Sequence, residues 1–236
     1  MNIKVVAVGS SKWERFIKKW GISFAIGEDI LFDTFGDPAI FLRNIEKYKI
    51  NLDKIKHIII SHNHWDHISG LWSIIGRCKD LNVYICQSFK PDIKERIESL
   101  GAKVIELVKP MEITRGIYVT GAVRGEYDKG AVYEQSLVVK DIKGLIVITG
   151  CAHPGIITAL DNIRKHFTEQ IYLVAGGFHL KDKSHQEIQK IISAFRMYHV
   201  EQVAPMHCTG NLAVKLFKKE YKDKFIVAKA GSVIKV

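Results

Sequence analysis

Three histidines and an aspartate fall within six residues of this chain, in the run Ser61-His62-Asn63-His64-Trp65-Asp66-His67. His62 and His64 are two apart, so in an extended turn both rings can point at one ion. Asp66 and His67 follow where the chain curls into a helix at Ile68, and they can face a second ion. Neutral imidazole and carboxylate suit Zn²⁺, with iron and manganese as alternatives. Three protein ligands per metal would leave open positions for water. Such a cluster cannot serve as an apolar face, and buried without partners it would be costly.

Three further strand-like runs end in Gly- or Met-containing turns that carry a histidine. They are Val147-Ile148-Thr149-Gly150-Cys151-Ala152-His153, Leu173-Val174-Ala175-Gly176-Gly177-Phe178-His179 and Val203-Ala204-Pro205-Met206-His207. In open α/β sheets the loops beyond the carboxyl ends of the strands gather on one edge, where ligands bind. His153 and His207 are therefore expected to join His62, His64, Asp66 and His67 as metal ligands. His179 reads either as a ligand or as a residue that contacts substrate. His57, His166, His185 and His199 lie outside these loops and read as ordinary turn or surface residues.

The elements that must position these loops follow from punctuation and periodicity. Ile3–Val8, Ser23–Ile26 and Ile30–Asp33 read as strands, the last two joined by a Gly27-Glu28-Asp29 turn. Pro38 suits the first turn of a helix running to about Lys49. Ile55–Ile60 is an unbroken apolar run of the kind buried on both faces. Leu71–Arg77 reads as a helix, Val83–Cys86 as a strand, Pro91–Leu100 as a helix and Lys103–Leu107 as a strand. Glu112–Thr114, Ile117–Thr120, Ser136–Val139 and Leu145–Thr149 read as successive strands. Beyond them a helix from Pro154 to about Phe167, strand Ile171–Ala175, helix Ser184–Tyr198, strand Glu201–Ala204 and helix Asn211–Lys219 alternate. Phe225–Ala228 and Ser232–Val236 close the chain as strands. Hairpins together with crossover units define a mixed α/β class. With no linker, repeat or low-complexity tract, one domain over residues 1–236 is expected.

The chain has 236 residues, 47% of them apolar and 25% charged, the composition of an ordinary globular protein rather than a disordered or fibrous one. No apolar run approaches the roughly 20 residues of a membrane span, so no membrane association is expected. The four cysteines form no C-x-x-C pair, and a chain of this size does not depend on disulfides, which points to a reduced, cytoplasmic home. Thirty-five Lys and Arg against 25 Asp and Glu leave a formal charge of +10, which invites a nucleic-acid reading. The basic residues are spread along the chain, however. The densest groups, Lys12–Lys19 and Lys215–Lys224, are interleaved with apolar residues as helix faces are. A small anionic substrate is the favoured partner over nucleic acid.

The H-x-H-x-D-H run after a buried apolar strand, with later strand-end histidines and a final histidine near the C-terminus, resembles the metallo-β-lactamase superfamily. The resemblance covers essentially the whole chain. It implies a four-layer αββα sandwich with two mixed sheets, and it assigns Asp33, in Phe32-Asp33-Thr34, as a support that holds the ligands by hydrogen bonds. Thr149-Gly150-Cys151-Ala152-His153-Pro154-Gly155, Gly176-Gly177-Phe178-His179, Met206-His207-Cys208-Thr209-Gly210 and Glu134-Gln135-Ser136-Leu137 are similar to the branch of dihydropterin–ribofuranosylaminobenzene phosphate synthase-like proteins. One departure concerns the ligands. Aligned on the strand Leu145–Gly150, Cys151 takes the slot of the superfamily's bridging Asp or Cys, and the usual earlier histidine falls near Val132–Glu134, where there is none. Either His153 completes the first site with His62 and His64, or Glu134 or Cys151 contributes; the first is favoured.

The chemistry implied is that of one or two zinc ions. A metal with an open position lowers the pKa of bound water towards about 7, which suits hydrolysis of esters, phosphodiesters, lactones or amides. The synthase branch implies transfer of a pterin-methyl group from pyrophosphate to an arylamine. Asp66 is the candidate catalytic residue, as ligand and as the group that orients the nucleophile. Gly176 and Gly177 would let backbone N–H groups approach an anion, and Trp65 and Phe178 could stack on a planar ring. A metal-dependent hydrolase or transferase acting on a small phosphorylated or ester substrate is the primary expectation. A nuclease or phosphodiesterase of the same fold, and a non-catalytic metal-binding protein, are the alternatives.

Overall fold

The computed structural model describes residues 1–10, 13, 16, 19–128 and 130–235. Residues 12, 14, 15, 17 and 18 of the basic stretch Lys12–Lys19, and Val236 of the last expected strand, lie outside the described residues. The backbone divides into two compact units, one of residues 1–109 with 229–236 and one of residues 110–228.

The first unit runs β1 (Asn2–Gly9), β2 (Gly21–Ile26), β3 (Ile30–Phe32), α1 (Pro38–Lys47), β4 (His57–Ile59), α2 (Trp65–Ile68), α3 (Leu71–Ile74), β5 (Asn82–Cys86), α4 (Pro91–Ser99) and β6 (Lys103–Leu107). The second runs β7 (Met111–Thr114), β8 (Ile117–Val119), β9 (Val123–Tyr127), β10 (Gly130–Glu134), β11 (Leu137–Asp141), β12 (Gly144–Thr149), α5 (Ile156–Arg164), β13 (Ile171–Gly177), α6 (His185–Met197), β14 (Gln202–Met206) and α7 (Asn211–Tyr221). The chain then returns to the first unit as β15 (Val233–Lys235).

Each unit carries one mixed sheet. The seven-stranded sheet has the order β15-β1-β2-β3-β4-β5-β6. Its first half is antiparallel, and the junctions β3-β4, β4-β5 and β5-β6 are parallel. The six-stranded sheet has the order β14-β13-β12-β11-β8-β7, parallel from β12 to β14 and antiparallel beyond. In both sheets the histidine loops leave the carboxyl ends of parallel strands, β4 in the first and β12, β13 and β14 in the second, since parallel neighbours are joined through strand-end loops and crossovers rather than tight hairpins.

The helices form where sequence punctuation allows. Asp37 accepts a hydrogen bond from the Ile40 backbone N–H and Pro38 occupies the first turn of α1, which buries Phe41 and Ile45. Ser184 and Glu187 close a capping box on α6, each side chain bonded to the other residue's backbone N–H. In the second unit Val138, Val147, Val174 and Val203 of the sheet share one core with residues from three helices. These are Ile156 and Leu160 of α5, Ile188 and Phe195 of α6, and Ala213 and Phe217 of α7.

Two expectations change. Strands β9 (Val123–Tyr127) and β10 (Gly130–Glu134) pair antiparallel, which no apolar alternation announces. The middle residue of β9 is Gly125, where a Cβ would stand 2.5 Å from the Pro154 nitrogen, so the strand is selected by close approach rather than by an apolar face. Phe225–Ala228 forms no strand, and Phe225 makes an isolated bridge to Val203.

Candidate metal centre

The first unit builds its donors in one loop. After β4 the chain passes Ser61 and enters the histidine run, and the backbone N–H of His64 donates to the carbonyl of His62 (3.1 Å) while that of His67 donates to His64 (3.0 Å). This tight path brings His62 Nε2 within 3.0 Å of His64 Nδ1. Two imidazoles of fixed orientation with nitrogens that close suit ligation of one ion, for which zinc–nitrogen bonds of about 2.0–2.1 Å are usual.

Asp33 holds this loop from the end of β3. Its Oδ1 accepts from the Ser61 backbone N–H (2.7 Å), and its Oδ2 accepts from Ser61 Oγ (2.8 Å) and contacts His67 Nδ1 at 2.6 Å. His67 Nε2 in turn lies 3.3 Å from Asp66 Oδ2. Asp33, His62 and His67 are fully buried. Burial pulls the His67 pKa down, but the carboxylates of Asp66 and Asp33 outweigh it and hold the imidazole well above its usual range. Burial pushes the Asp33 carboxyl up, opposed by His67 and by its bonds from Ser61.

The turn that presents Asp33 is itself unusual. Asp33 and Phe35 have φ of +54° and +63°. The Thr34 backbone N–H and hydroxyl both donate to the His67 carbonyl, at 2.8 and 2.9 Å. A Cβ on Gly36 would stand 2.4 Å from the Trp65 ring, and one on Gly21 2.0 Å from the Asp66 carbonyl. The loops around β2 and β3 thus close tightly on the histidine run. Trp65 lies over Gly36 and remains 41% exposed.

The second unit gathers its donors from four separate places. Glu134, at the end of β10, clamps the loop after β12: Oε1 accepts from the N–H groups of Cys151 (2.8 Å) and Ala152 (2.7 Å), and Oε2 from the N–H of His153 (2.8 Å). Oε2 also meets His153 Nδ1 at 2.9 Å, so of the two ring nitrogens Nε2 is the one that could take a metal. His207 follows β14 in a left-handed conformation, φ +54°, and its Nε2 lies 3.3 Å from Cys151 Sγ. His179 follows β13, also left-handed at φ +51°, with its ring centroid 4.5 Å from that of His153. Cys208 Sγ donates to the Cys151 carbonyl at 3.5 Å. Burial raises the Cys208 thiol pKa, but the Cys151 side chain, His207 and His179 outweigh this and hold it well below the usual thiol range.

The residues expected to line a pocket take other places. Phe178 is 1% exposed and packs between Phe195 and Phe217, with ring centroids 5.5 Å away in each case, so it belongs to the hydrophobic core. Gly176, at φ +120°, lets β13 approach β12: a Cβ there would stand 2.1 Å from the Thr149 carbonyl oxygen. The Gly177 N–H donates to the Gly150 carbonyl at 3.2 Å and is spent within the protein. Tyr127, which the sequence did not single out, stands edge-on to both His153 (5.1 Å) and His179 (5.9 Å). Its signal was weak because the strand that carries it has no periodic apolar face. His57 bonds Tyr84 through Nδ1 at 3.0 Å, the ordinary structural role expected of it.

An α/β protein with a mixed sheet in each unit and imidazole, carboxylate and thiol donors at the strand ends belongs to the class of metal-binding proteins. The family model of the metallo-β-lactamase superfamily matches residues 26–180. The solved structure of Tm1679, described as a metal-dependent hydrolase of the β-lactamase superfamily, is 30% identical, with a TM-score of 0.81 over 100% of this chain and 99% of that one. A Methanocaldococcus jannaschii protein named 7,8-dihydropterin-6-methyl-4-(beta-D-ribofuranosyl)-aminobenzene-5′-phosphate synthase is 29% identical over 93% of this chain and 91% of its own. The short form of human tRNase Z shares the fold at 14% identity, with a TM-score of 0.63, 100% of this chain and 99% of that one being covered. The chain belongs to the metallo-β-lactamase superfamily and has its fold. Among the described residues, no helix is long and apolar enough to cross a membrane.

Proposed function

We propose that the chain, acting as one domain, is a metal-dependent enzyme that works on a small anionic substrate with a phosphate or pyrophosphate leaving group, of pterin-like character. Its ligands in this reading are His62, His64, Asp66, His67, His153 and His207, and its metal is zinc, one ion or two, with iron or manganese as alternatives. The observation that carries the reading is the orientation of the imidazoles: Ser61 meets His62 Nδ1 at 2.9 Å, Asp33 meets His67 Nδ1 and Glu134 meets His153 Nδ1. Metal-binding histidines are held by such partners on the ring nitrogen that does not bind, and a core histidine needs no such consistent arrangement. The similarity to the synthase-named protein supports the pterin-like substrate.

Bound there, a divalent ion would supply Lewis acidity towards phosphate oxygens and activate water near neutral pH. Asp33, Ser61 and Glu134 keep the imidazoles in one tautomer and one direction. Asp66 accepts the proton that the nucleophile loses. In the transfer reaction the pterin-methyl carbon forms a bond to the arylamine nitrogen as its bond to pyrophosphate breaks, and the amine proton leaves to Asp66. In hydrolysis water takes the place of the amine.

The test is a metal-loaded preparation assayed for pyrophosphate release from a dihydropterin-methyl pyrophosphate, with and without a ribofuranosyl-aminobenzene phosphate, beside phosphodiester and lactone panels. Amine-dependent, metal-dependent release supports the synthase reading, and metal-dependent turnover of the other panels alone supports a hydrolase. Protein that binds no metal, or a His64→Ala variant that binds and acts as the parent does, overturns the assignment. The basic residues engage dispersed acidic partners, as in Lys94–Glu106, Lys140–Glu169 and Lys224–Glu201, which does not favour a continuous nucleic-acid groove.

A further inference from the structure

One face of the β9–β10 pair lies against the loop that carries His153. Val123, Gly125 and Tyr127 alternate along β9, and Glu134 of β10 stands opposite Val123, so these four residues share that face. Glu134 takes the N–H groups of residues 151–153 and meets His153 Nδ1. Gly125 leaves room for the His153–Pro154 backbone. Tyr127 reaches further, to a second loop. Its ring stands nearly perpendicular to two imidazoles, at 82° to His153 and at 81° to His179.

His179 is held differently from the imidazoles described above. Ser61, Asp33 and Glu134 meet the Nδ1 atoms of His62, His67 and His153. The Nδ1 of His179 is buried with no hydrogen-bond partner, and the Cys208 thiol beside the ring is a weak hydrogen-bonding group. An imidazole without a strong acceptor behind it can turn about its χ2 bond and exchange tautomers. Two rings pack on it, His153 with a centroid distance of 4.5 Å and Tyr127 at 5.9 Å. His153 is itself fixed by Glu134. Tyr127 is fixed by the strand that carries it.

We infer that Tyr127 is a positioning residue: its aromatic ring fixes the His179 imidazole as Glu134 fixes that of His153, so the β9–β10 pair orients both. The effect on turnover rests on the metal-dependent reading, and the geometry rests on ring packing alone. Aromatic rings prefer edge-to-face contact because their faces are negative and their edges positive, so such a contact specifies a direction that an aliphatic one does not. Tyr127 also stands opposite Gly130 in the register, and an aromatic ring there covers a bare glycine. Any bulky apolar side chain would serve that purpose, and it would not distinguish one imidazole from the other.

The full zinc-loaded chain is labelled with ¹⁵N-histidine, and long-range ¹H–¹⁵N spectra are read for each ring, with His153→Gln and His179→Gln providing the assignments. In the parent protein His179 gives the signals of one tautomer. In Tyr127→Leu those signals broaden or average while His153 keeps its pattern, and Tyr127→Phe keeps both patterns. Turnover of a dihydropterin-methyl pyrophosphate falls roughly tenfold or more in kcat in Tyr127→Leu and stays within about twofold in Tyr127→Phe, because a small misplacement at a reacting centre is costly. An unchanged His179 in Tyr127→Leu overturns the inference. Loosening of His153 and His179 together overturns it too, since the loss is then one of general packing. Damage in Tyr127→Phe equal to that in Tyr127→Leu assigns the role to the hydroxyl and overturns it as well. A parent protein that turns over no substrate sinks the metal-dependent reading, and the spectra still decide the role of Tyr127. If Tyr127→Leu does not fold, a His179 ring that exchanges tautomers in the parent protein overturns the inference, and a fixed ring in both the parent and Tyr127→Phe supports it.

Discussion

The loop after β4 and the loop after β12 solve one problem in two ways. Each presents an imidazole whose Nδ1 is held by a buried carboxylate, Asp33 for His67 and Glu134 for His153. In the first unit all the donors lie within six consecutive residues, and the supporting carboxylate comes from the adjacent strand β3. In the second the donors are distributed over residues 151–207 and converge only because β12, β13 and β14 run side by side in parallel. The lesson is that a compact motif needs one correct loop, whereas a dispersed one needs a correct sheet. The two should fail differently.

Removing the carboxylate from the compact loop should have the largest effect. Asp33→Ala leaves the buried His67 and the Ser61 N–H and hydroxyl without their acceptor. The expected loss is about 3–5 kcal/mol of stability, measured by urea unfolding. A loss below about 1 kcal/mol would mean that the loop stands without Asp33. The dispersed set should instead be sensitive to strand approach. Gly176→Ala places a Cβ against the Thr149 carbonyl at a φ that side chains rarely adopt, and should destabilise by roughly 2–3 kcal/mol while lowering metal affinity. Unchanged affinity would show that the β12–β13 spacing does not set the donors.

Glu134→Gln sharpens the comparison on the loop itself, because a neutral amide cannot accept from three N–H groups and an imidazole together. Metal affinity should drop about 10- to 100-fold, read by competition with a chromophoric chelator. The smallest effects are expected far from either loop, at the start of α6. Ser184→Ala removes the cap and should cost about 1 kcal/mol, with metal affinity unaltered. Glu187 in that capping box is held down to about 2 by the Ser184 backbone and side chain and by Lys183. A carboxylate depressed in the folded state stabilises it above the unfolded value of 4.5, and that contribution is lost as pH falls towards about 2. The stability gap between the parent and Glu187→Gln should therefore shrink over that interval; a gap independent of pH would remove the assignment.

Much of this was legible in residue order. The H-x-H-x-D-H run announces donors because its spacing alone limits where the side chains can point. Lys103–Leu107 and the capped helix from Pro38 follow from alternation and capping, which are local properties. The pairing of β9 with β10 was not legible, since Gly125 is chosen for its lack of a side chain against the His153–Pro154 backbone, and a missing side chain leaves no periodicity. Phe178 was read as a pocket residue because it adjoins His179, yet its ring packs against Phe195 and Phe217 in the core, and the left-handed turn at His179 (φ +51°) follows it.

The amino-acid sequence by itself determined the donor types, the strand-end positions of the histidines and the superfamily, because all three depend on spacing along the chain. Only the tertiary structure decided what holds each donor. It committed Glu134 to a loop, placed Tyr127 against two imidazoles and left His179 Nδ1 buried without a hydrogen bond. These depend on distances between residues far apart in the chain, which are settled by sheet register and packing rather than by any local preference.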